Sequence, residues 1–234
     1  MAETNGPAAE TRSLYYQHAK SVPLASRISN HIRKKTFRKF LDKFEPTEAT
    51  YVLDVGVTSD SLQAESNYFE KMYPYPNRIV CVGTEGGSHL TKEYPGLRYE
   101  QVTAGQPLPF KDDTFDVVFS NAVLEHVGSR KQQAAFLREI MRVGKAFFVT
   151  TPNRWFPVEH HTGVPLLHFL PTSIFRAIMR HTRYKYWSLE SHLNILTADE
   201  LLRLFPSDVT VSIETVRFLG LGSNLIASGK SRLR

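Results

Sequence analysis

The chain has 234 residues, 41% of them hydrophobic, a net charge of +6 and a single cysteine, Cys81. That is enough for one large α/β domain with a sizeable core. It excludes an internal disulfide, and no apolar run approaches the ~20 residues of a membrane span, so a cytoplasmic setting is expected. The opening residues "MAETNGPAAETRS" are polar and small, and residues 1–25 are expected to be a loose tail. From Ser26 to Phe44, Ile28, Ile32, Phe37, Phe40, Leu41 and Phe44 recur at helical spacing, with Ser26 as the expected cap and Pro46 as the stop. Residues 27–43 also hold Arg27, Arg33, Lys34, Lys35, Arg38, Lys39 and Lys43 against one acid, Asp42, which accounts for the whole excess charge. Two readings of this face stand: a solvated helix surface, or a patch that attracts an anionic membrane surface.

Strand-like runs follow at Tyr51–Val55, Arg78–Val82, Leu97–Val102, Phe115–Ser120 and Ala146–Thr150. Helical stretches alternate with several of them; the clearest is Ser129–Val143, with Phe136, Leu137, Ile140 and Met141 on one face and Gly144 as its stop. This alternation predicts a mostly parallel sheet covered on both faces. Residues 151–171 carry four prolines together with Trp155, Phe156, Leu166, Leu167, Phe169 and Leu170. Too proline-rich for a helix and too long for an ordinary loop, this stretch is expected to be a substrate-facing insertion offering an apolar or amphipathic acceptor pocket, or else a loop that covers core. Helices at Thr172–Arg183 and Thr197–Phe205 precede two terminal strands, Val209–Phe218 and Ser223–Ser228, joined through Gly220 and Gly222. Residues 26–234 are thus expected to form a single domain.

Four stretches carry the functional signal: "VLDVG" at the end of the first strand, "IVCVGTE" ending in Glu85, "LPFKDDTFDVVFSNAVLEHV" from Leu108 to Val127, and "FLREIMRVGKAFFVTTPN". Over roughly Tyr51 to Asn153 the series resembles the class I S-adenosylmethionine-dependent methyltransferases, and the "LPF…FDVVFSNAVLEH" block is its most specific part. The resemblance implies a Rossmann-like α/β fold, a seven-stranded sheet with a reversed C-terminal strand, and S-adenosylmethionine as cofactor.

Cofactors of open α/β sheets bind beyond the carboxyl ends of the strands. Gly56 allows close backbone approach, Asp54 can order the turn and attract the cofactor's ammonium, and Glu85 can accept from both ribose hydroxyls. By the resemblance, Ala104, Gly105 and Gln106 lie against the adenine, and Asn121 and Ala122 face the methionine end. Each position has a plainer alternative: a turn former for Asp54, a turn glycine for Gly56, a solvated acid for Glu85, an Asx turn for Asn121. The chain departs from the family where Val57, Thr58 and Ser59 replace further glycines and Ala104 replaces an acid. Thr58 and Ser59 hydroxyls are expected to stand in for lost contacts.

For an oxygen acceptor a base is needed, and His126, His160 and His161 are the candidates. The alternatives are a backbone-bonding structural role for His126 and a surface loop for the other two. Adjacent residues such as Glu159–His161 rarely converge on one ion, so no metal is expected. No nucleic-acid signature is present. The expected activity is methyl transfer to a small or lipid-linked acceptor, at oxygen. The competing readings are a catalytically silent, partner-binding domain of the same fold and a membrane-surface adaptor.

Overall fold

A computed structural model of the chain describes residues 23–59 and 66–231, apart from the side chains of 23–26 and Ser88. Most of the expected N-terminal tail, and Asp60 of the first turn, lie outside the described residues.

Helix α1 (Pro23–Phe44) leads into strand β1 (Val52–Val55). There follow α2 (Tyr68–Met72), β2 (Ile79–Gly83), α3 (Ser88–Glu93), β3 (Arg98–Gln101), β4 (Val117–Asn121), α4 (Arg130–Val143) and β5 (Ala146–Pro152). Then come α5 (Thr172–Arg180), α6 (Ala198–Leu202), β6 (Val211–Phe218) and β7 (Leu221–Lys230). The seven strands form one sheet in the order β3-β2-β1-β4-β5-β7-β6. All pairs are parallel except those of β7, which runs antiparallel to both β5 and β6. This is the expected Rossmann-like sheet with its reversed last strand.

The two-residue period of the strands sorts the core into two layers. Leu53, Val55, Val118 and Phe147 face α4 through Leu137, Ile140 and Met141. Val52, Cys81, Phe119 and Phe148 face α1 and α2 through Phe37, Phe40 and Phe69. Phe40 is fully buried, and the rings of Phe69, Phe119 and Phe148 stand edge-on to it at 5.1–5.6 Å. This packing holds α1 to the sheet. The helix starts at Pro23, three residues before the expected cap, because nothing between Pro23 and Ser26 breaks the helical pattern and proline is tolerated in a first turn.

The basic face of α1 is largely spent on the protein itself. Lys39 and Lys43 both pair with Glu214 of β6, at 2.6 and 3.6 Å, and Lys35 Nζ donates to the Arg217 carbonyl. The Arg33 guanidinium lies over the Tyr68 ring. Four of the seven charges therefore have work inside the fold, which the count of charges along the sequence did not reveal. No helix among the described residues is long and apolar enough to cross a membrane.

Helix α4 opens on a reciprocal cap: Ser129 Oγ accepts from the Gln132 N–H, and Gln132 Oε1 accepts from the Ser129 N–H at 2.9 Å. Ser129→Ala is expected to cost about 1 kcal/mol, read as a lower urea midpoint at unchanged slope. An unchanged midpoint would show that the cap contributes nothing.

Candidate active site

The carboxyl ends of β1, β2 and β4 open onto a cavity of about 820 Å³. Asp54, Gly56, Thr58, Glu85, Ala104, Gly105, Gln106, Asn121 and Ala122 all line it, as the strand-end argument expects. Ser59 does not: its hydroxyl donates to Glu85 Oε2 at 2.6 Å and so orients that carboxylate from behind.

The turn after β1 closes without the missing glycines because other residues take over their work. The Gly56 and Val57 amides both donate to the Val82 carbonyl. Asn67 clamps the Thr58 backbone, accepting from its N–H at 3.0 Å and donating to its carbonyl at 2.9 Å. The close approach is made possible from the facing strand, since a Cβ on Gly83 would sit 2.6 Å from the Val57 carbonyl oxygen. Gly56 itself has φ +104°, and a Cβ there would meet Val123 Cγ2 at 2.1 Å. After β4, Ala122 adopts φ +55°, a conformation uncommon without glycine, and its N–H donates to the Thr150 carbonyl. Asn121 Oδ1 accepts from Thr150 Oγ1 at 2.6 Å and from the Tyr68 hydroxyl at 3.3 Å.

Asp54 is more than a turn residue. It is buried beside Glu70, which also lines the cavity. Burial first, and the Glu70 carboxyl second, push its pKa well above the ordinary aspartate range. Glu70 Oε1 accepts from Cys81 Sγ at 3.0 Å, and Oε2 has no fixed N–H or O–H donor. Two buried acids that share a hydrogen bond, and so a proton, at a strand-end cradle can hold an ammonium group. Because Asp54 is raised, its contribution to stability is full below the ordinary aspartate pKa and is lost as pH climbs through the raised value. Asp54→Asn should therefore flatten the alkaline fall of the ligand-free melting temperature. An identical pH slope in the variant would refute the shared-proton pair.

The three expected histidines separate. His126 lines the cavity, with Nδ1 2.6 Å from the His192 carbonyl and Nε2 3.2 Å from His161 Nε2. Burial and the adjacent His161 lower its pKa to about 3. His161 lies behind it, with Nδ1 2.5 Å from Glu159 Oε1. Burial alone would lower His161, but the Glu159 carboxylate outweighs it and holds the ring above the ordinary histidine value. Glu125, fully buried, is pushed up to about 7 by desolvation. His160 is exposed and stacks on Phe156, apart from the other two.

Among the described residues, the 151–171 stretch supplies none of the cavity lining. Thr151 and Pro152 extend β5, Trp155 is 57% exposed against Phe169, and His161 backs the wall. The lining beyond the strand ends comes instead from residues that include Tyr186, Trp187, Ser191 and His192, with Arg33 of α1. The proline-rich loop is thus a buttress, because its buried Glu159 and His161 draw it inward behind Trp187. His192 escaped the sequence reading, since "YWSLESHLN" has no periodicity to mark it. Its Nδ1 is 2.9 Å from the Tyr186 carbonyl, which can only accept, so Nε2 is the basic nitrogen of the neutral ring.

The profile of a methyltransferase domain family matches residues 74–146. No curated protein matches the sequence. Solved structures of similar fold include the CurJ carbon methyltransferase, with TM-score 0.56 at 13% identity. That match covers 94% of this chain and 57% of the CurJ chain, so the present chain spans little more than half of it. Geranyl diphosphate C-methyltransferase from Streptomyces coelicolor A3(2), solved with Mg²⁺, geranyl diphosphate and S-adenosyl-L-homocysteine, gives 0.55 at 14% identity, covering 86% of this chain and 80% of its own. The [4+2]-cyclase SpnF gives 0.54 at 14%, covering 89% and 81%. With the reversed seven-stranded sheet, the strand-end cradle and the matched central segment, the chain has the fold of the class I S-adenosylmethionine-dependent methyltransferases.

Proposed function

We propose that the chain transfers a methyl group from S-adenosylmethionine to the hydroxyl of a small acceptor held between Arg33, Tyr186 and His192. The observation that carries this reading is one cavity that joins the strand-end cradle to a histidine with a fixed tautomer. Gly56, Glu85, Gln106 and Asn121 line it at the strand ends, and His192, with its proton locked on Nδ1, lines it as well.

Glu85, oriented by Ser59, suits the ribose diol, and the Asp54–Glu70 pair suits the ammonium. Gly105, at φ +77° and with open space around it, leaves room for the adenine where Ala104 offers no acid. When bound, the cofactor supplies a methyl on a sulfonium that departs as a neutral thioether. The protein's share is alignment and proton removal. His192 Nε2 takes the acceptor proton; its ring is held flat on Tyr186 at 4.0 Å. Arg33, over the Tyr68 ring at 5.3 Å, favours an acceptor with a negative group, whether free or at a lipid headgroup. Arg27, Lys34 and Arg38, the exposed remainder of the α1 charges, would serve a lipid-bound acceptor.

The test is calorimetry with S-adenosylmethionine, followed by a panel of anionic hydroxyl compounds scored by S-adenosylhomocysteine release. Micromolar binding and release with one acceptor class are expected, on the order of −8 kcal/mol. The silent-domain reading has its own support, the absent glycines and Ala104. It replaces the enzyme reading if millimolar cofactor produces neither heat nor a thermal shift.

A further inference from the structure

At the cavity wall the fold brings His161 up to the adjacent pair Glu125 and His126, 35 residues before it in the chain. Glu125 Oε1, His126 Nε2 and His161 Nε2 lie within 4.8 Å of one another. The two imidazole nitrogens are 3.2 Å apart, and Glu125 Oε1 is 3.9 Å from His126 Nε2.

The outer atoms fix which way the lone pairs point. His126 Nδ1 faces the His192 carbonyl, which only accepts, so that nitrogen carries a proton. His161 Nδ1 faces Glu159 Oε1, on a carboxylate that also accepts from the His161 and Thr162 amides and from Thr162 Oγ1. That nitrogen is a donor too. In the neutral rings both Nε2 lone pairs are then aimed at the same small volume. The third corner is Glu125, 0% exposed. Its Oε2 accepts from Thr151 Oγ1 at 2.9 Å, and its Oε1 has no hydrogen-bond partner. Three converging lone-pair atoms, two of them on buried residues and the third at the cavity wall, call for a positive charge. Ligands at ~2.0–2.1 Å from a tetrahedral ion stand about 3.3 Å apart, close to the imidazole spacing here. The carboxylate arm has only to swing its unbonded oxygen inward.

We propose that Glu125, His126 and His161 bind a first-row divalent cation of the zinc class. The Glu159 carboxylate and the His192 carbonyl hold the two rings by their outer nitrogens, the usual support for metal-binding histidines. The ion ties the turn after β4 to the 151–171 loop, with Trp187 packed against both imidazoles. It thereby fixes the wall that carries His192. Glu159, His160 and His161 need not converge on the ion, because only His161 of that run is a ligand and Glu159 is its support. The site does not depend on the cofactor or acceptor assignment.

The test uses the full chain, stripped with chelator and titrated with zinc chloride or cobalt chloride alone, without cofactor. One zinc per chain by elemental mass spectrometry is expected, with a rise in melting temperature. Cobalt should give the visible absorption of a tetrahedral N/O site. Glu125→Gln and His161→Gln should abolish stoichiometric binding, Glu159→Gln should weaken it about 10–100-fold, and His160→Gln should leave it unchanged. Substoichiometric zinc with no visible cobalt band in the unmodified chain overturns the proposal and leaves a proton-bridged histidine pair. Zinc affinity equal in the parent and in folded Glu125→Gln and His161→Gln chains overturns it as well.

Discussion

Replacing Gly56 by valine is expected to weaken S-adenosylmethionine binding by ~100-fold or more, while the far-ultraviolet spectrum keeps the signature of the folded sheet. Two costs act together. The residue sits at φ +104°, a region that branched side chains avoid. Its Cβ would also fall 2.1 Å from Val123 Cγ2, on the turn that follows β4. The turns after β1 and β4 would have to part, and they are the floor on which Asp54, Asn121 and Ala122 converge. The clash is therefore with the protein itself, before any ligand enters. Val123→Ala introduced alongside should recover the steric share of the loss and not the backbone share, giving intermediate affinity. Glu85→Ala should cost about 2 kcal/mol, roughly 30-fold, because the ribose hydroxyls lose a charged acceptor. Thr58→Val should cost less, since Asn67 grips the Thr58 backbone. Calorimetry gives the order. Affinity for Gly56→Val within about threefold of the parent would remove this cradle from the account.

What the sequence discloses here is what a short-range pattern can carry. Val52, Leu53 and Val55 announce a buried strand, and their neighbours at the strand ends announce a cradle, because strand direction in a parallel sheet sends every carboxyl end to one side. The alternation of Leu137, Ile140 and Met141 gives α4 and its buried face. Partnerships across the fold are a different matter. Lys39 meets Glu214 175 residues away, and His126 meets His161 and the His192 carbonyl through connections whose paths no local period encodes. The proline-rich loop illustrates the limit. Its aromatic content suggests a pocket, yet its buried Glu159 and His161 fold it behind the wall, and the wall itself comes from an unpatterned stretch around Tyr186 and His192. Asn67 stands nine residues beyond the turn it clamps, so the chain's answer to its missing glycines is invisible in "YVLDVGVTSD".

The same unpatterned stretch yields the sharpest test of the chemistry. His192→Ala is expected to lower kcat by ~10²–10⁴ with the acceptor that the panel returns, while cofactor affinity stays within about twofold. The separation is possible because His192 acts at two places with two parts of itself. Its backbone carbonyl holds His126 Nδ1, and that contact survives the substitution. Its imidazole, positioned by the Tyr186 carbonyl and stacked on the Tyr186 ring, is what the variant removes. His126→Ala should behave differently. Its Nδ1 is held by the His192 carbonyl and its ring packs against His161 and Trp187, so its loss should loosen the wall, lower the melting temperature and raise KM together with any fall in kcat. His160→Ala, exposed against Phe156, should change neither constant appreciably. Turnover of His192→Ala at more than about a tenth of the parent would take the base away from this nitrogen. If His126→Ala then showed a pure kcat loss at unchanged KM and melting temperature, the proton would have to leave through the His126–His161–Glu159 chain instead.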